Sequence, residues 1–520
     1  MLCSCKKDFL EKSATNTVPA DKIWSDPALA KLYLNNMYAD VPNFDRDLYD
    51  NISDESRSFW GGDPLNVLQG QWFPDNDPLE YWAYAAVRKT NDLLAHIDGS
   101  SVPADDKKSM KGQAKFLRAM LYFNMVKRYG SVPIVTVPQS LNDDLLVKQQ
   151  PIEACFNFII TELKEAADLL PATYGSRDID VGKANKNSAI AFMGRVQLYF
   201  ASTLYNPSGD VSRWKDAALT SKQIIDGGAY SLHSSFRRLM LDKNNEEEIF
   251  SVQFLKPTRQ HGWDSWNKPL TQAKQEAVCR SPVQEFVDAF QMANGKDITD
   301  PTSGYDPANP YVNRDPRFDA TVVYNGAVFS GEQIFMYIGA DNAINIPYST
   351  ITGYLFRKGQ DETNPDYYAE SGSDQNWLEL RYAEVLLNYA EAQNEASGPD
   401  ASVYNAIEKI RQRAGLVPFQ LTPGLTKDQM RETIRHERYI ELSFENKRYW
   451  DLRRWKIAKE KLDGKQYNAM YITKNPNGTY SYQRKPVDAI PCVFQDKMYF
   501  LPIPQSEIQK NPNLKQNPGW

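Results

Sequence analysis

Apolar residues recur at helical spacing over much of this chain. Between residues 107 and 129, Met110, Ala114, Leu117, Leu121 and Met125 form one stripe, and Phe116, Ala119, Phe123 and Val126 widen it. A helix apolar on so much of its circumference has to be buried, and Gly130 and Pro133 supply its stop. Residues 79–97 carry Leu79, Trp82, Ala86, Leu93 and Ile97 at similar steps, and a short helix is expected over 27–38. Residues 152–170 and 188–204 read as a pair, and 214–225 as a further helix stopped by Gly227 and Gly228.

The pattern breaks near residue 249. Ile249-Phe250-Ser251-Val252-Gln253-Phe254 alternates as a strand does, and Gly, Pro, Asn and Asp then dominate up to residue 376. Helical spacing resumes at Trp377, where Leu378, Tyr382, Val385, Tyr389, Ala392 and Ala396 step by four and three. Arg381, Glu384, Asn388, Glu391 and Glu395 make the complementary polar stripe. Helices over 401–413 and 427–447 follow, then a Pro- and Asn-rich tail from 464. The chain thus divides into a leader remnant and tether (1–20), a helical region (21–248), a loop-rich region (249–376) and a second helical region with an extended tail (377–520). Residues 21–520 are expected to form one compact unit. Consecutive helices suggest antiparallel hairpins stacked in the tetratricopeptide manner, without a strict repeat of ~34 residues. The expected class is all-α with short strands in the loop-rich region.

Composition narrows the function. With 520 residues, 42% of them hydrophobic and 24% charged, the chain is globular. A net charge of −6 argues against a nucleic acid held by its phosphates. Only 4 His and 5 Cys exclude a cysteine-rich scaffold and weigh against a His-based metal site. No stretch approaches the ~20 apolar residues of a membrane helix. Aromatic residues make up 12%, with 29 Tyr and 11 Trp. That excess needs a use.

The start reads Met1-Leu2-Cys3-Ser4-Cys5-Lys6-Lys7-Asp8. A zinc pair would need a second ligand pair, which is missing. A disulfide between Cys3 and Cys5 would be strained. What remains is a lipoprotein box, with Leu2 three before Cys5, Ser4 just before it, and Cys5 as the lipidated residue after a signal peptide. Acyl chains there anchor a protein to a membrane without spanning it. Cys155, Cys279 and Cys492 lie far apart in sequence, and a pairing among them stays open.

Several stretches together resemble the SusD/RagB family of outer-membrane nutrient-binding lipoproteins of Bacteroidetes. They are Cys5-Lys6-Lys7-Asp8-Phe9-Leu10-Glu11; Lys115-Phe116-Leu117-Arg118-Ala119 with Tyr129-Gly130-Ser131-Val132-Pro133; and Asn187-Ser188-Ala189 to Arg195-Val196-Gln197-Leu198-Tyr199. Further along come Asn313-Arg314-Asp315-Pro316-Arg317, Arg381 through Glu391, Glu437 through Arg454, and Leu501-Pro502-Ile503-Pro504 to the closing Asn517-Pro518-Gly519. They follow family order over nearly the whole chain. The resemblance implies an all-α SusD-like fold on tetratricopeptide-like helix pairs, with a loop-rich variable face. It also implies a cell-surface lipoprotein that binds oligo- or polysaccharide and delivers it to a SusC-like TonB-dependent outer-membrane transporter. RagB-like members serve peptide uptake, which makes a peptide-binding accessory the alternative. A scaffold whose aromatic loops only grip the transporter is a third reading.

No enzyme signature is present. The chain has no Gly-x-Ser-x-Gly elbow and no His-Glu-x-x-His. Glu437, Glu441 and Glu445, at four-residue steps, precede Arg448, Arg453 and Arg454. They are expected to form an ion-pair network that fixes packing, and Arg314-Asp315-Pro316-Arg317 a turn with a local ion pair. No cofactor is expected. Residues 361–366, with Asp361, Glu362, Asn364 and Asp366, offer oxygens to a calcium ion but lack an EF-hand glycine, so a solvated acidic loop is favoured.

A sugar ring has apolar faces edged by hydroxyls, which Trp and Tyr meet with a flat platform and neighbouring polar groups. Aromatics away from helical stripes are therefore the candidates. Trp60 and Trp72 lie with Phe73 in a Gly/Pro/Asp-rich loop, and Trp263 and Trp266 lie among Arg259, Gln260, His261, Asp264 and Asn267. Asp54 is a candidate hydroxyl acceptor and Arg357 a candidate donor, with a structural ion pair as the competing role for Arg357. Cys279, before Arg280-Ser281-Pro282, is included as a loop residue, with a buried thiol as its plainer reading. Trp82, Trp377, Trp450 and Trp455 fall on helical stretches and are assigned to packing.

Overall fold

The computed structural model describes residues 20–44, 48–174, 180–273, 278–364 and 372–520. Cys5, the tether and Asp366 lie outside them. The chain is all-α in its framework, with short two-stranded sheets between the helices.

Long helices span Ala104–Tyr129, Ile152–Leu169, Lys186–Ala201 and Val211–Gly227, each packed on the next. Polar signals set their ends. Asn185 and Ser188 form a reciprocal capping box, Asp210 caps the Val211 helix, and Gly228 leaves it in the left-handed conformation. Gly130 ends the longest helix at φ +73, and a Cβ there would press on Ile152 and Phe500 at 3.0–3.1 Å.

The next helix of this array is Tyr382–Ser397, which packs directly on Val211–Gly227 and in turn carries Ala401–Ala414 and Lys427–Glu441. Between them the strand Glu248–Val252 pairs antiparallel with Trp377–Arg381, so the loop-rich segment leaves and rejoins the helices at one place. Trp377 therefore begins a strand and not a helix. The stripe from Leu378 to Tyr382 fits both periods, and both faces of the strand are covered. Lys427–Glu441 also stops short of residue 447. Phe444 and Asn446 take φ +57, and Arg448–Arg454 starts a new helix. Tyr84–His96 opens later than expected, after Trp82. The tail contains a hairpin, Asn468–Lys474 with Tyr480–Pro486.

Buried charge ties these elements together. Arg195 pairs with Glu384 at 2.6 Å, and Arg454 pairs with Glu391 at 2.5 Å and Asp451 at 2.7 Å. Arg317 holds Asp315 at 2.8 Å and Glu437 at 2.5 Å. Opposed guanidinium groups outweigh burial and hold the Glu384 and Glu391 carboxyls down at about 2. The charged motifs of the sequence are thus scaffold, as expected. Cys155 and Cys492 are buried free thiols, and Cys279 is buried as well.

Candidate functional site

The segment Leu48 to Gly62 is pinned from below by charge and backbone. Arg280 Nε donates to Asp50 at 2.7 Å, and Arg448 grips both Asp54 oxygens at 2.8 and 2.7 Å while lying over the Tyr439 ring. Asn51 Nδ2 donates to the Cys279 carbonyl at 2.9 Å, and Ser56–Arg57 pairs with Ser281–Pro282. Arg57 donates to Asp488 at 2.7 Å. Glu55 sits among these groups without an ion pair to any described residue; burial, then Asp50 and Asp54, push its carboxyl well up.

This anchored segment carries Phe59 and Trp60 out to the surface, followed by Gly61 and Gly62 at φ +59 and +63. There they meet Tyr348, which is 38% exposed. Ring centroids lie 5.2 Å apart for Phe59–Tyr348 and 5.7 Å for Trp60–Tyr348. Phe59 and Trp60 stand edge to face. A few residues on from Tyr348, Met470 N–H donates to the Thr352 carbonyl at 2.7 Å and Gly353 (φ +81) leaves no room for a side chain against Met470. Three half-open rings from two distant segments form one patch, and Trp60 alone of them was a sequence candidate. Phe59 adjoins it in the same glycine-flanked loop, and Tyr348 lies in a Pro/Ser/Thr loop; an aromatic outside any helical stripe was the signal in both.

The other candidates part company. Trp263 is only 1% exposed, so the expected platform there is corrected: it is core. Its indole N–H donates to the Lys358 carbonyl, Arg280 stacks on its ring at 4.5 Å, and Phe44 and Phe356 press on it. Of the polar neighbours that suggested an open loop, His261, Asp264 and Asn267 are themselves buried and bonded, while Arg259 and Gln260 are half-buried. Asp264 accepts from Asn364 and Gln375 at 2.8 Å each, and burial raises its carboxyl. His261 Nε2 donates to the Gln375 carbonyl at 3.0 Å and Nδ1 accepts from the Trp263 N–H at 3.2 Å; burial lowers its imidazole to about 4.

Trp266 is half-buried against the core, its ring filling the space over Gly262. Trp72 is likewise corrected from platform to core, 1% exposed against Trp520, while neighbouring Phe73 is 55% exposed. Cys279 is buried, its N–H bonded to the Trp266 carbonyl at 2.8 Å. Arg357 donates to Glu362 at 2.8 Å and so takes the structural role that competed for it. Glu362 also pairs with Arg237 at 2.7 Å. Among the described residues no group of His, Cys, Asp or Glu is placed to hold a metal ion. Asp54 spends both oxygens on Arg448, yet it lines a cavity of about 510 Å³ with Tyr439, Tyr467, Glu285 and Lys465.

Comparison with known proteins bears on the whole chain. The family model described as "SusD family" matches residues 246–520, and a second, described as "Starch-binding associating with outer membrane", matches residues 8–198. A SusD-like protein of Formosa agariphila is 25% identical over 90% of this chain and 83% of its own. The starch-binding protein SusD of Bacteroides thetaiotaomicron is 27% identical over 37% of this chain and 32% of its own. A crystal structure of a SusD-like protein of Bacteroides fragilis superposes with TM-score 0.82 at 29% identity, covering 97% of this chain and all of that one. A SusD-like carbohydrate binding protein from the same species gives TM-score 0.82 at 26% identity, covering 95% of this chain and 100% of its own.

Proposed function

The chain belongs to the SusD family, and from that membership we propose that it is a lipoprotein anchored at the outer membrane through Cys5. It captures oligo- or polysaccharide at the cell surface and passes it to a SusC-like TonB-dependent transporter. The observation that carries the ligand class is the Phe59–Trp60–Tyr348 patch. A starch-binding relative and a carbohydrate-binding structural neighbour support the same class. The outer-membrane part draws support from the family description over residues 8–198.

Physical chemistry sets the scale. One sugar ring stacked on Trp60 removes ~100 Å² from water, or ~2.5 kcal/mol. A second ring on Tyr348 and Phe59 adds less, and the cost of association leaves affinities of micromolar to millimolar order. Avidity at the cell surface compensates. The chain is assigned no catalytic step.

Calorimetry and affinity electrophoresis against a glycan panel and a peptide pool test this. At least one glycan binds, and Trp60→Ala weakens it by about tenfold or more, because a stacking contact of ~1.5–2.5 kcal/mol is lost. Retardation by no glycan, with clear peptide binding, would overturn the reading in favour of a peptide-binding accessory.

A further inference from the structure

A different cavity, of about 190 Å³, opens where the end of the Pro27–Met37 helix faces the strand Glu248–Val252. Its floor is apolar and buried, made by Val41, Phe250 and Val252. Asn35, Lys183, Gln253 and Arg259 stand round it. The loop at residues 181–183 comes in close because Gly182, at φ +80, has no Cβ; one placed there would sit 2.3 Å from Gln253 Cγ.

The two cations here differ. Lys183 is spent on Asp180 at 2.8 Å. The Arg259 guanidinium carbon lies over the Phe254 ring, 4.7 Å from its centroid, and the residue is half-buried. Its backbone closes a turn with Leu255, but its guanidinium makes no hydrogen bond or ion pair with any described residue. Burial lowers its pKa, and no carboxylate among the described residues offsets that. A half-buried guanidinium without an anion is a costly arrangement, because desolvation is not repaid. The stacked fork is preorganised to take a carboxylate with two parallel bonds.

We propose that this cavity binds a single sugar ring carrying a carboxylate, a uronic acid residue. The carboxylate sits on Arg259, the C–H face on the apolar floor, and a hydroxyl on Asn35; the Gln253 amide is already bonded to Glu248, Ser251 and Asn376 and only walls the cavity. The volume is below the ~300 Å³ of drug-sized sites, which fits one ring and not a chain. The choice of a sugar over another carboxylate rests on the glycan reading above; the site itself does not share residues with the Trp60 patch.

The test is a titration of the purified protein with glucuronate, galacturonate, glucose and benzoate, followed by calorimetry and saturation-transfer NMR. A uronate binds about tenfold or more tighter than glucose or benzoate. Arg259→Gln removes that preference, Arg259→Lys restores part of it, and Trp60→Ala leaves it unchanged. No saturable uronate signal up to roughly 50 mM, or one untouched by Arg259→Gln in a variant with an unchanged melting midpoint, would overturn the proposal. Benzoate binding as well as the uronates would overturn the sugar assignment. Loss of all neutral glycan binding with uronate binding kept would count against the Trp60 reading alone.

Discussion

Arg381 Nη1 donates to Glu441 Oε1 at 2.7 Å, and Nη2 takes the Glu441 carbonyl at the same distance. One residue closes the strand Trp377–Arg381 and the other ends the helix Lys427–Glu441. Glu441 also receives Arg413 and, at 3.1 Å, Arg317, so four segments meet on a single carboxylate.

Glu441→Gln should therefore destabilise the fold strongly. It leaves Arg317, Arg381 and Arg413 short of an anion in a buried site, a change that costs roughly 3–5 kcal/mol. Urea unfolding followed by tryptophan fluorescence measures it. A loss below about 1 kcal/mol would show that the remaining carboxylates at Glu247, Glu437 and Glu445 suffice.

The three tryptophan variants should separate cleanly. Trp263→Ala and Trp72→Ala empty core positions and cost about 3–5 kcal/mol each. Trp60→Ala, at a half-open position, should stay within about 1 kcal/mol of the parent. Thermal midpoints rank them, and a Trp60 variant as unstable as the other two would make it core.

Stability should fall on acidification in two steps. In the folded chain His261 has no lone pair to spare, since Nδ1 accepts from Trp263 and Nε2–H is donated. Asp374 on one side and Lys243 and Lys256 on the other are the charges that act on it. Its pKa is lowered to about 4 while the unfolded chain titrates near 6.5. The unfolded state thus binds the extra proton first, and stability drops as pH falls from about 6.5 to 4, by on the order of 3 kcal/mol in full. His436, also lowered by burial, adds to this step. Glu384 and Glu391, held at about 2, supply a second loss from about pH 4.5 downward. His261→Gln, whose amide can make the same two bonds, should flatten the dependence between pH 5 and 6.5; an unchanged slope would contradict the assignment.

Gly353→Ala should distort the patch from behind. Its Cβ would stand 2.2 Å from the Met470 carbonyl oxygen at a positive φ, so backbone has to move, at a cost of at least about 1–3 kcal/mol. Glycan affinity should fall with it, because Tyr348 lies in the loop that leads into that turn. An affinity equal to the parent's would show that Tyr348 is dispensable.

Helix spacing made the framework legible, because a buried helix needs its apolar stripe whatever it packs against. The stripe from Leu378 concealed a strand, since five residues covered on both faces satisfy either period. Polarity misled at Trp263. Arg259, His261 and Asp264 signal a wet loop only if their partners are water, and for His261 and Asp264 the partners come from residues 361–376, a hundred positions away. Trp72 and Phe73 are neighbours with opposite exposure, which no local rule separates. The Trp60 patch was half visible, because Tyr348 reaches it from almost three hundred residues away, and spacing carries no information over that distance.

The pairing of Glu248–Val252 with Trp377–Arg381 brings the two ends of a long excursion together before the helices resume. Closing a loop costs only about 0.6 kcal/mol more for each doubling of its length once its ends are fixed. The exposed turns between those strands can therefore lengthen or shorten at little cost, while Arg317 on Glu437, Lys358 on Glu445 and the buried Trp263 keep the stretch itself fixed to the helices.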